Sequence, residues 1–133
     1  MNKTATFQMM YNDHKKRNIM AIDNTPLSLG ILKSIITGGG YSFSSAKSGE
    51  KALRLIEAYK PDLLIMGTDM PDMDEYELTE KLNEAGKTIP VIFISNDATK
   101  ESVIKAHKIG VKDFIRKPVD RKTTLKKIEK LLA

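Results

Sequence analysis

The chain has 133 residues, enough for one domain with a core of its own. With 41% hydrophobic and 29% charged residues it has a globular composition, neither disordered nor membranous, and the absence of cysteine removes disulfides, thiolate nucleophiles and cysteine zinc sites. The formal charge of +5 is unevenly spread: residues 1–54 carry +5, residues 55–84 carry −7 and residues 85–133 carry +7.

Residues 1–17, with Lys15-Lys16-Arg17 and no helix start, are expected to form a flexible tail ahead of a domain over 18–133. The first ten residues lack a signal peptide's apolar run, and no stretch approaches the roughly 20 apolar residues of a membrane span. A cytoplasmic location follows as the expectation.

From there five short apolar runs alternate with five segments of helical spacing. Strands are expected at Asn18–Ile22, Tyr41–Ser45, Asp62–Met66, Val91–Ile94 and Asp113–Ile115, and helices near 26–37, 49–59, 73–85, 98–108 and 119–132. Thr25 before Pro26 reads as an N-cap with proline at the first helical position, while Gly38, Gly86 and Gly110 stand where helices should end. In the last helix Leu125, Ile128 and Leu132 make an inward stripe, with Lys122, Lys126 and Lys130 on another face. The run Ile92-Phe93-Ile94 is apolar at every position, as a strand covered on both sides requires. This alternation predicts an α/β domain, a doubly wound five-stranded parallel sheet with helices on both faces. A site would then lie beyond the carboxyl ends of the strands.

The residues at those ends are Asp23 and Asn24 after the first strand, Gly67-Thr68-Asp69-Met70-Pro71 after the third, Ser95 and Asn96 after the fourth, and Lys117-Pro118 after the fifth. A carboxylate, a hydroxyl and an ammonium meeting at one sheet edge can hold a cation or a phosphoryl group. Each alone has a plainer reading, since such an Asp caps a helix, a Ser makes a turn and a Lys is solvated. Their order and placement together carry more.

AIDNTPLSLGIL, PDLLIMGTDMPDMDEYEL, PVIFISND and DFIRKPV resemble the acidic first loop, third strand and following loop, fourth strand and lysine-proline signature of bacterial response regulator receiver domains. The resemblance covers residues 18–132 and implies a flavodoxin-like sheet of order 2-1-3-4-5. In that family an Asp four residues before the proline of the Met-Pro loop takes a phosphoryl group from a histidine kinase. Here that position is Gly67, and an aspartyl phosphate needs a carboxylate nucleophile. The family's pair of acids after the first strand is here Asp23 and Asn24, and the third metal contact, a backbone carbonyl, maps to Asp69. Magnesium is bound largely through carboxylate and phosphate oxygens, so the expected site is weak or lost, and no other cofactor is expected. Ser95 matches the hydroxyl that contacts the phosphoryl group, Phe114 the aromatic switch position and Lys117 the phosphoryl-pairing lysine. Asn96 and Glu75 stand where the family has a small residue and a glycine, adding bulk and charge near the pocket. Lys117, without a phosphate, is expected to pair with Asp23 or Asp69.

The resemblance implies a signalling module and no enzyme: a pseudo-receiver that works by protein–protein interaction. Its partner is expected to be another signalling protein or an attached output domain. The family's partner face, formed by the fourth helix, fifth strand and fifth helix, here includes Lys105, His107, Lys108, Lys112, Arg116, Lys122 and Lys126. These lysines could merely solubilise a surface, or they could steer an acidic partner. A second reading moves phosphorylation to Asp69, although two residues of extended chain displace a carboxylate by roughly 6–7 Å and an error of about 1 Å can cost about a hundredfold in rate. A third reading, nucleic-acid binding, draws on the basic ends but is opposed by the −7 segment, the absence of tryptophan and the lack of a recognition motif.

Other features read as structural. Gly38-Gly39-Gly40 follows a helix, whereas a phosphate-cradling loop follows a strand and opens a helix. The acids Asp69, Asp72, Asp74, Glu75 and Glu77 lack the spacing and central glycine of a calcium loop and suit a helix's first turn. His14 and His107 have no metal-ligand companions, and Met66, Met70 and Met73 read as packing.

Overall fold

The computed structural model describes residues 16–67 and 70–133. Five strands, β1 (Asn18–Ile22), β2 (Ser42–Ala46), β3 (Leu63–Met66), β4 (Val91–Ser95) and β5 (Asp113–Arg116), form one parallel sheet of order β2-β1-β3-β4-β5. Between and after them run α1 (Pro26–Gly38), α2 (Gly49–Tyr59), α3 (Glu75–Glu84), α4 (Lys100–Lys108) and α5 (Arg121–Leu132). The doubly wound fold expected from the sequence is the fold observed, with element ends moved by one or two residues.

Side chains alternate across a strand, so each central strand feeds two cores. Met20, Ile22, Leu64, Met66, Val91 and Phe93 point to one face and pack with Ala52 and Ile56 of α2, Leu78 and Leu82 of α3 and Ala106 of α4. Ile19, Ala21, Leu63, Ile65, Ile92, Ile94 and Ile115 point to the other and pack with Leu29, Leu32 and Ile36 of α1 and Ile128 of α5. β1, β3 and β4 are covered on both sides, which is why they read as apolar runs but for Asn18 and Ser95 at their ends; β2 and β5, at the edges, include exposed residues.

Several local expectations need correction. Thr25 sits at the N-cap position of α1, but its side chain does not cap the helix; it turns back to Asp23. The helix expected from 73 starts at Glu75, because Asp74 caps it by accepting from Glu77 N–H at 2.8 Å. Those expected from 98 and 119 start at Lys100 and Arg121, where Thr99 and Asp120 take the same role. Of the α5 stripe Ile128 is fully buried and Leu125 and Leu132 are half-buried, while Thr124 lies in the interior beside them. Gly40, Gly86 and Gly110 have φ between +74° and +96°, which lets the chain reverse after α1, α3 and α4. Of the tail expected over 1–17, residues 1–15 lie outside the described residues; the Arg17 carbonyl accepts from Ser42 N–H at 2.9 Å, extending the ladder.

Candidate functional site

The parallel register brings the candidate residues to one edge. Ile22 pairs with Met66, Met66 with Phe93 and Ser95 with Arg116, so the next residues, Asp23, Gly67 and Lys117, emerge side by side with Ser95. Backbone bonds hold them there: Asp23 N–H donates to Ala46 O at 3.0 Å, Gly67 N–H to Ile22 O at 2.7 Å and Lys117 N–H to Ser95 O at 3.0 Å. The Lys117-Pro118 peptide bond is cis.

Asp23 is the buried charge of the site, with 2% of its surface exposed. Its Oδ1 accepts from the Thr25 N–H at 2.9 Å and the Thr25 hydroxyl at 3.0 Å, a turn in which the carboxylate satisfies the backbone two residues on. Its Oδ2 has no hydrogen-bond partner among the described residues and faces the Lys117 ammonium at 3.8 Å. The ammonium also lies 3.4 Å from Ser28 Oγ on α1. The expected pairing of Lys117 is thus made with Asp23. A lone buried carboxylate would be costly, and this pairing together with the Thr25 bonds offsets that cost.

Gly67 explains how the carboxylate fits. A Cβ built on Gly67 would lie 2.8 Å from Asp23 Cγ and closer still to Oδ2, so Asp23 occupies the space that a side chain at position 67 would need. Asn24 is exposed, and Asp69 lies outside the described residues. Among the described residues no group of three or more His, Cys, Asp or Glu gathers as a metal cluster. Magnesium seeks near-octahedral oxygen ligands; the described residues offer it one uncommitted carboxylate oxygen, already faced by an ammonium, which is a poor fit.

Next to this pocket, a cleft of about 260 Å³ is lined by Glu75, Tyr76, Ser95, Asn96, Asp97 and Phe114 together with Ser102. Ser95 Oγ accepts from Asp97 N–H at 2.9 Å. The Phe93 ring joins the edges of Tyr76 and Phe114, at centroid distances of 5.4 and 6.1 Å, and ties α3, β4 and β5 into one aromatic row. The Tyr76 hydroxyl donates to Ser102 O at 3.3 Å, and Lys105 Nζ lies 4.1 Å above the Tyr76 ring. Burial first, and then the charges of Glu75, Asp97 and Asp74, push the Tyr76 phenol above its ordinary pKa.

A profile of the response regulator receiver domain matches residues 19–129. The chain belongs to the receiver domain family. The transcriptional regulatory protein GlrR of Escherichia coli is 30% identical over 119 residues, which is 90% of this chain and 27% of GlrR, so the chain spans about a quarter of that relative. Protein PilH of Pseudomonas aeruginosa is 28% identical over 117 residues, 86% of this chain and 97% of PilH. A CheY-like receiver domain protein from Methanospirillum hungatei superposes with a TM-score of 0.80 at 28% identity, covering 88% of this chain and 94% of that one. Chemotaxis protein CheY4 of Vibrio cholerae shares the fold, with a TM-score of 0.83 at 19% identity over 88% and 99% of the two chains.

Asp23, Gly67, Ser95 and Lys117 are together, and Phe114 lies one step away behind Ser95. Lys105, His107, Lys108, Lys112, Arg116, Lys122 and Lys126 are all exposed on α4, β5, α5 and the turns between them. The sequence reading missed Asp72, whose two oxygens accept from Gly49 N–H at 2.9 Å and Glu50 N–H at 2.8 Å, fastening the loop after β3 onto the start of α2. No local pattern carries that signal, because the partners are 22 and 23 residues apart.

Proposed function

We propose that this receiver domain is a pseudo-receiver: a signalling module that works through protein contact, without phosphoryl transfer at position 67 and without catalysing a reaction of its own. The observation that carries the reading is the Gly67–Asp23 arrangement. Residue 67 has no nucleophile, and the volume in which a nucleophile would stand is filled by a carboxylate already paired with Lys117. Magnesium is bound weakly at most, and no other cofactor is used. The module acts in the cytoplasm on another signalling protein or on an attached output domain; no helix among the described residues is long and apolar enough to cross a membrane.

Backbone amide spectra test this reading, recorded with and without magnesium and a beryllofluoride-type phosphoryl mimic. The amides of Asp23, Gly67, Ser95, Phe114 and Lys117 are expected to stay in place. Shifts spreading from Ser95 to Phe114 would overturn the proposal.

A further inference from the structure

The two edges of the sheet are not protected alike. β5 carries Asp113 and Arg116, and Lys127 Nζ reaches from α5 to hold Asp113 Oδ1 at 2.8 Å. β2 reads Ser-Phe-Ser-Ser-Ala, with no charge and no proline, and its register with β1 runs without a bulge. Charges, prolines and bulges are the devices that blunt a free edge against further pairing, and β2 has none of them.

Its backbone is set to pair. Ser42 N–H donates to Arg17 O at 2.9 Å and Ala46 O accepts from Asp23 N–H at 3.0 Å, so the even-numbered residues of β2 spend their backbone groups on β1. The N–H and C=O groups of Phe43 and Ser45 therefore turn to the open side. Beside that edge lies a groove of about 410 Å³, lined by β2 itself and by Leu55 and Tyr59 of α2. Tyr59 leaves 56% of its surface exposed there.

Residues 1–15 of the same chain precede this edge. β1 and β2 begin level with each other, Asn18 beside Ser42, so a segment leading into β1 arrives at the end of the sheet where β2 starts. Crossing β2 to its open side takes two strand spacings, about 10 Å, and residues 12–16 can span roughly 16 Å. Asn12-Asp13 supplies residues suited to the turn. Ahead of them Ala5, Phe7, Met9 and Tyr11 alternate with Thr4, Thr6, Gln8 and Met10, the period-two pattern of a strand with one apolar face.

We propose that residues 4–11 of this chain add to the open edge of β2 as a sixth strand, antiparallel to it, with Phe7, Met9 and Tyr11 covering Leu55 and Tyr59. This strand takes the place of the flexible tail expected from the sequence. An antiparallel edge strand on a parallel sheet is a common arrangement. Ala46 packs with Ala52 and Ile56 of α2, so the groove lies on a core-bearing face, where the apolar positions belong; a slip of one residue would set Thr6 and Gln8 there instead. The chain's own segment is favoured over a separate peptide because its tether holds it at the edge at an effective concentration on the order of millimolar. It leaves Asp23, Gly67 and Lys117 untouched, so the sixth strand stands whether or not the domain is phosphorylated.

Amide hydrogen exchange and nuclear Overhauser contacts on the full chain test it. The Phe43 and Ser45 amides are expected to exchange slowly, as paired amides do, and to keep their rates on dilution. Contacts are expected between residues 4–11 and Phe43, Leu55 and Tyr59. In the double variant Phe7→Asp, Met9→Asp the two amides should exchange about tenfold faster or more, while those of β1 and β3 keep the parent's rates. The control variant Thr6→Asp, Gln8→Asp puts the same charges on the opposite face and should change the two rates by less than about threefold. Free exchange of Phe43 and Ser45 in the parent, or absence of those contacts, would overturn the sixth strand without recourse to any variant. Rates indifferent to Phe7→Asp, Met9→Asp, or raised equally by both variants, would also overturn it. Protection that falls on dilution would give the edge to a second copy of the chain and overturn it as well.

Discussion

At the scale of single residues, Asp23 and Gly67 form one unit. A glycine after β3 leaves a gap, and the carboxylate from the end of β1 leans into it toward Lys117. Gly67→Ala should therefore cost about 1–3 kcal/mol in urea unfolding, because the added methyl must displace a buried, twice-bonded carboxylate. An unchanged midpoint would mean that Asp23 has room to move aside. The same geometry predicts that Gly67→Asp is not a simple restoration. Two carboxylates would crowd one ammonium, so the variant should be less stable than the parent at neutral pH and recover as acid protonates one of them. From the sequence, the glycine at position 67 was legible and so was a partner for Lys117. The filling of the gap by Asp23 was not, because it depends on which way a side chain turns at a strand end.

At the scale of elements, the join between the loop after β3 and the start of α2 depends on Asp72. Ser48 Oγ accepts from Lys51 N–H at 3.2 Å, Asp72 accepts from Gly49 and Glu50, and Met73 packs its sulfur against Gly49. The free N–H groups of that helix end are thus shared between a local cap and a distant one. The backbone bonds from Glu50 and Gly49 hold the Asp72 carboxyl below its ordinary pKa. Its contribution is present in full above the unfolded-state value near about pH 4 and is lost as the pH falls through the lower folded-state value. Asp72→Asn should accordingly lower the melting temperature at pH 7, and the gap between variant and parent should close in strong acid. A gap independent of pH would assign the effect to packing. The element types were legible because β3 is apolar throughout, β1 and β4 are apolar but for Asn18 and Ser95 at their ends, and the helices have caps and glycine stops. Their first residues were not, because Asp74, Thr99 and Asp120 compete with neighbours for the capping place.

At the scale of the whole molecule, the charge segregation seen along the sequence becomes a segregation in space. The acidic residues 55–84 run from the end of α2 through the central strand β3 to α3, and the basic residues of 85–133 lie mostly on α4, β5 and α5 toward the β5 edge of the sheet. Periodicity alone predicted the parallel doubly wound sheet, whereas the order 2-1-3-4-5 came with the family resemblance. Strand order is set by which helix covers which face, and the split of the core between α1 with α5 and α2 with α3 and α4 is written across distant residues. The account as a whole turns on whether this molecule can be phosphorylated. Intact-mass measurement after incubation with a small acyl phosphate and magnesium asks that directly. We expect the full chain to emerge with its mass unchanged; the gain of one base-labile phosphoryl group, abolished in Asp69→Asn, would contradict the account and move the acceptor to Asp69.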